Sequence, residues 1–132
     1  MSTVEREIAS SVHLHGAHNL RNRWIAALYH HAQATGAELA KARMCDISQS
    51  FDRRLALYLG EGKRRRRVIM SAGLVDLMFE YRFHLGLPAF PAYGETHPLI
   101  QHSLRNPMPM SPKEIQSIID RLRKTSGQDL EG

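Results

Sequence analysis

The stretch GAELAKARMCDISQSFDRRLALYLGEGKRRRR, Gly36–Arg67, decides the fold. It opens on Glu38-Leu39-Ala40-Lys41-Ala42, residues that favour a helix. A break follows through Met44-Cys45-Asp46. Ile47, Phe51, Leu55 and Tyr58 then recur at three- and four-residue steps, with Leu59 beside them, and this spacing predicts a second helix over Ile47–Leu59. Asp46 or Ser48 would cap its start by accepting from a free backbone N–H, and Gly60 and Gly62 would end it. The stretch closes on five consecutive cations, Lys63 to Arg67.

Upstream, Leu20, Trp24, Ala27, Leu28, His31, Thr35 and Leu39 share one face of a predicted first helix over His18–Ala42, which Gly36 either breaks or ends. Downstream, a third helix is predicted over Arg64–Leu85. It carries two apolar stripes: Met70, Leu74, Leu77, Met78, Tyr81 and Leu85 on one side, and Val68, Ala72, Val75, Phe79 and Phe83 on the other. A surface helix needs only one such stripe, so the second predicts a homodimer through helix 64–85. All six prolines lie between Pro88 and Pro112. Residues 88–110 therefore read as an irregular strap, anchored by Phe90 and Tyr93. Ser111, Pro112 and Glu114 form a capping box that opens a last helix, with Ile115, Ile118, Ile119 and Leu122 on its apolar face. The expected fold is all-α: a small bundle of about four helices with a proline-rich strap, in a single domain over 1–132 whose ends, 1–16 and 126–132, are flexible.

The formal net charge of +5 favours a polyanionic partner, such as nucleic acid or an acidic surface. The N-terminal stretch carries charges where a signal peptide needs an apolar core. The most apolar window, Val68–Leu87, is interrupted by Asp76, Glu80, Arg82 and His84, so it reads as no membrane span. A lone cysteine, Cys45, excludes an internal disulfide and a cysteine-rich zinc site and suits a reducing cytoplasm.

Glu38-Leu39-Ala40-Lys41, then Ile47-Ser48-Gln49-Ser50, then Arg53-Arg54-Leu55 resembles the repressor-type helix-turn-helix family. Ala40 takes the place of the small crossing residue. The turn through Met44-Cys45-Asp46 is longer than that family's, and Asp52 stands where the family places an apolar residue. The resemblance implies a non-enzymatic, cytoplasmic, dimeric DNA-binding protein of transcription regulation. Ser48, Gln49, Ser50, Arg53 and Arg54 would open its recognition helix, with Gln49 suited to adenine and the arginines to guanine. Lys63, Arg64, Arg65, Arg66 and Arg67 would hold phosphates. Five such contacts imply a log–log salt slope near −4.5, roughly a 500-fold loss of affinity from 50 to 200 mM salt. The plainer alternative is an amphipathic core helix followed by a solvated basic turn. In a eukaryote the same run would also serve as a nuclear import signal.

Ser48-Gln49-x-x-Asp52 with Leu55 and Tyr58, together with Leu20-Arg21 and Trp24, is similar to the two-helix aspartyl-phosphate phosphatases of sporulation signalling. That resemblance implies a helical regulator of a protein partner, with Ser48, Gln49 and Asp52 at a phosphoryl site.

The eight histidines raise a metal site, with His13, His15 and His18 close together in sequence. Adjacent helical residues such as His30 and His31 point about 100° apart and do not converge on one ion. No metal or other cofactor is expected. Cys45 reads as a structural thiol, and the chain carries no glycine-rich phosphate loop, nucleophile elbow or metalloprotease motif.

Overall fold

The computed structural model describes residues 17–50, 52–103 and 105–131, and side chains over 20–50, 52–103 and 105–124. The chain is mixed α/β. Helices α1 (Ala17–Ala32), α2 (Gly36–Lys41), α3 (Ala72–His84) and α4 (Pro112–Glu131) surround a three-stranded antiparallel sheet and a two-stranded one. The first sheet is a meander in the order β1 (Ile47–Gln49), β2 (Leu55–Leu59), β3 (Arg66–Ile69); the second pairs β4 (Gln101–Ser103) with β5 (Asn106–Pro109). This overturns the expected all-α bundle.

The first helix divides at Gln33, which takes a left-handed φ of 54°. Thr35 then caps α2, its hydroxyl accepting from the Glu38 amide while the Glu38 carboxylate accepts from the Thr35 amide. Gly36 is thus not the breaker. It is the point where α2 meets the start of α4: a Cβ there would lie 2.6 Å from the Pro112 carbonyl oxygen.

The second predicted helix is a β-hairpin. Leu55, Leu57 and Leu59 alternate along β2, and that period of two prevails over the helical spacing because two strands flank β2 and pair with it. Leu57 and Leu59 point into the core with Ile47. Asp52 and Arg53 occupy the β1–β2 turn. Gly60 and Gly62, expected as helix terminators, make the β2–β3 turn with φ of +83° and +54°. A side chain at Gly60 would also strike the Arg64 carbonyl at 2.5 Å.

The third helix is shorter than expected. Arg66–Ile69 pairs with β2 as β3, and the helix starts at Ser71, whose hydroxyl accepts from the Leu74 amide. One of its faces, with Leu74, Leu77, Met78 and Tyr81, is buried as read. Tyr81 stacks on Trp24 with ring centroids 5.8 Å apart. The Trp24 indole donates to the Leu99 carbonyl at 3.0 Å, and the Tyr81 hydroxyl accepts from the Gln101 amide at 3.0 Å. These bonds dock the proline-rich segment on α1 and α3. That segment is not wholly irregular, since it carries β4 and β5. Its anchors are Leu99, Ile100 and Met110, all buried; Phe90 and Tyr93 are exposed.

Arg82, read from sequence as a charge interrupting the helix, is fully buried. It donates to the carbonyls of Pro88 and Phe90 and makes a two-toothed pair with the Glu95 carboxylate at 2.6 and 3.1 Å. Cys45 and Met44 donate their amides to the Glu95 and His97 carbonyls, tying the strap to the start of the sheet. α4 starts with the Ser111–Glu114 capping box and runs to Glu131. The expectation for residues 1–16 lies outside the described residues. No described helix is long and apolar enough to cross a membrane.

Candidate nucleic-acid interface

Strand geometry sorts the basic residues. Successive side chains on a strand point to opposite faces, so Arg66 and Arg67 part company. Arg66 lies opposite Leu59 and turns towards the helices. Its guanidinium grips Glu38 with both oxygens at 3.1 and 3.0 Å and donates to the Ala32 carbonyl at 2.8 Å. This pairing holds the Glu38 carboxyl below its usual range, first through the Arg66 side-chain bond, and raises Arg66 in turn. Arg66 is committed to the fold and is withdrawn from the phosphate-binding set.

Arg67 lies opposite Tyr58, on the sheet's outer face, and is exposed. Arg65 sits with its guanidinium 5.2 Å from the Tyr58 ring centroid and 3.4 Å from Asp46 Oδ1. Lys63 and Arg64 occupy the short helical turn Gly62–Arg64 at the hairpin tip, both exposed. Among the described residues Lys63, Arg64 and Arg67 have no acidic partner within ion-pair distance. The basic run also does not open an α-helix, as the predicted Arg64–Leu85 helix required.

Ser48, Gln49, Ser50, Arg53 and Arg54 lie at the other end of β2, about 15 Å away along a five-residue strand. Ser48 and Gln49 stand on β1 and point to opposite sides of the sheet, so they do not form one reading face. The Gln49 amide donates to the Arg53 carbonyl at 3.3 Å. Ser50 donates its hydroxyl to Asp52 Oδ1 at 2.5 Å, and the Arg54 amide donates to the same oxygen. Asp52 is therefore a turn residue, its carboxyl lowered chiefly by the Ser50 hydroxyl and then by the Arg54 amide. Arg53 holds the turn's left-handed position, φ 69°, and Arg54 lies 3.5 Å from Asp52. Neither the recognition helix nor the helical Ser48–Gln49–Asp52 site is formed, because Ile47–Leu59 is a hairpin.

A cleft of about 660 Å³ opens between α2 and the β2–β3 hairpin. Lys41, Arg43, Tyr58, Arg64 and Cys45 line it, as do Glu38, Asp46 and Glu61. Lys41 lies 3.9 Å from Glu61, and Arg43 is exposed. Lys41, Arg43 and Tyr58 were not singled out as site residues. The alternation of Leu55, Leu57 and Leu59 before Gly60-Glu61-Gly62 is the signal that would have placed them beside a hairpin tip.

His31, placed on the apolar face of the first predicted helix, is exposed, with its Nε2 2.7 Å from the Ile69 carbonyl oxygen. No group of three His, Cys, Asp or Glu among the described residues could hold a metal ion. The side chains of His13, His15 and His18 lie outside the described residues. Cys45 is half-buried.

No protein-family model matches the chain, and no curated protein matches it.

Proposed function

We propose that this protein binds duplex DNA by gripping its phosphates with the β2–β3 hairpin, without reading bases. The observation that carries the proposal is a set of three exposed cations on one hairpin, Lys63, Arg64 and Arg67, with no acidic partner among the described residues. Lys63 and Arg64 project from the turn, where Gly60 and Gly62 take left-handed backbone angles, and Arg67 projects from β3. A cationic group that pairs with no carboxylate of its own protein is free to displace counterions from a polyanion, which is the main source of sequence-independent affinity. Arg65 is spent on Tyr58 and Asp46 and Lys41 on Glu61, so neither adds to these three contacts. The cytoplasm suits this role, since Cys45 stays a free thiol in a reducing compartment.

The test is a fluorescence-anisotropy titration of a mixed-sequence duplex between 50 and 200 mM salt. Three phosphate contacts give a log–log slope near −2.7 and roughly a 40-fold loss of affinity over that range. Lys63→Ala, Arg64→Ala and Arg67→Ala should each remove about 0.9 from the slope. Arg53→Ala with Arg54→Ala should leave it unchanged. No binding at 50 mM salt, or a slope indifferent to the hairpin substitutions, would overturn the proposal.

A further inference from the structure

The outer face of α3 carries an apolar stripe that the fold covers only in part. Val75, Phe79 and Phe83 follow one another at four-residue steps; Phe79 and Val75 are half-buried and Phe83 is 77% exposed. Phe90 of the strap meets Phe79 edge-on, ring centroids 5.1 Å apart, and is itself 59% exposed. Adjoining exposed aromatic groups of this kind mark an interaction surface.

We infer that the occupant is a second copy of this chain, packed antiparallel through α3 with the two-fold axis beside Glu80. Charge placement along the helix argues for this register. Asp76 and His84 are both exposed, on the same flank of the stripe and equally far from Glu80 on either side. In a two-fold antiparallel pair, residues on the same flank face one another, so Asp76 of each copy meets His84 of the other. The imidazole supplies an N–H donor and the carboxylate an acceptor. Neither residue has an acidic or basic partner within its own chain among the described residues. Glu80 would meet its own counterpart at the axis, and each copy already pairs that carboxylate with Arg23 at 3.4 Å.

The apolar residues fit the same register. It sets Phe83 of one copy level with the gap between Val75 and Phe79 of the other. It sets Phe79 level with the gap between Phe79 and Phe83. Knobs therefore face holes along the stripe. The stripe offers Val75, Phe79, Phe83 and the neighbouring Phe90, few residues beside the roughly 20–30 a side of a stable complex, so the dimer is weak and forms only at high protein concentration. It rests on an observation separate from the hairpin, and it stands or falls without the DNA proposal.

The experiment is sedimentation equilibrium of the full chain over a range of concentrations. Phe83→Glu should abolish self-association. His84→Glu sets two carboxylates opposite each other at both ends of the helix pair and should weaken the dimer roughly tenfold. Asp76→Lys removes the carboxylate and should weaken it too. An equimolar mixture of the Asp76→Lys and His84→Glu chains is the decisive arm. The mixed dimer has one Lys–Glu pair and one native Asp–His pair, so it should associate more tightly than either variant alone. Phe83→Glu also removes apolar surface, whereas recovery on mixing requires this register. A monomer at every concentration, or no gain on mixing, overturns the inference. Circular dichroism of each variant shows that it is folded.

Discussion

Replacing Arg66 by alanine should destabilise the fold and leave DNA affinity nearly intact, while replacing its neighbour Arg67 should do the reverse. Arg66 makes two charge-assisted bonds to Glu38 and one to the Ala32 carbonyl, the last residue of α1. It thereby joins the end of α1, the first turn of α2 and the edge strand β3. A fully exposed ion pair contributes about 0.2–1 kcal/mol, and breaking a fully buried one costs about 3–5 kcal/mol. The side chains here are 38% and 21% exposed, which places the loss between those limits, at about 2 kcal/mol after screening. For a chain of 132 residues that lowers Tm by roughly 7 °C. Arg66→Lys keeps the charge and loses the fork, so it should cost about half as much.

Acid offers a second check on the same pair. Arg66 holds the Glu38 carboxyl below its ordinary value of 4.5, so the unfolded chain takes up the proton first. The pair's contribution is complete above that value and is lost as pH falls and Glu38 protonates in the folded state. The stability gap between wild type and Arg66→Ala should therefore narrow below pH 4.5. The assay is urea denaturation followed by circular dichroism at several pH values, alongside the anisotropy titration. Arg67→Ala should remain within about 0.5 kcal/mol of wild type in stability. Equal destabilisation by the two substitutions, or a larger DNA defect in Arg66→Ala than in Arg67→Ala, would refute the division of the basic run by strand face.

Other substitutions test the remaining supports. Glu95→Ala leaves the buried Arg82 guanidinium with carbonyl partners only and should cost about 3 kcal/mol. Hydrogen exchange should then quicken at the Met44 and Cys45 amides, which donate to the strap. Gly36→Ala drives a Cβ to 2.6 Å from the Pro112 carbonyl, so it should cost about 1–3 kcal/mol in urea denaturation by parting α2 from α4. Of the four tyrosines, Tyr81 has its hydroxyl pushed up to about 12 by burial. An ultraviolet titration should show a late ionisation that is absent in Tyr81→Phe, and that variant should lose about 1 kcal/mol with the bond that the Gln101 amide donates to the hydroxyl.

What the sequence disclosed follows how local each signal is. The Ser111–Glu114 box predicts the start of α4 because donor and acceptor sit three residues apart and need no tertiary partner. The Thr35–Glu38 box is equally local and was hidden by a longer helical pattern laid over it. The buried face of α3 was legible from its spacing, and so were Val75, Phe79 and Phe83 of the second stripe, whereas Val68 belongs to β3. Arg82 was not, since its partners come from the strap and a charge between apolar residues looks solvated until they are known.

The central error has one cause with two consequences. Ile47, Phe51, Leu55 and Tyr58 satisfy helical spacing, while Leu55, Leu57 and Leu59 satisfy strand spacing. A short window cannot choose between them. The tie is broken by Val68, which supplies an apolar partner opposite Leu57, and by two glycines able to turn the chain between them. Treating the stretch as a helix made the five cations one solvated block. Strand alternation instead turns Arg66 to Glu38 and leaves Arg67 outside, and the turn spends part of Arg65 on Tyr58 and Asp46. Counting cations in the sequence gives five phosphate contacts, and following the backbone gives three. The salt slope separates the two counts: a value near −4.5 would mean that Arg65 and Arg66 leave their partners to meet DNA, whereas a value near −2.7 would mean that the fold keeps them.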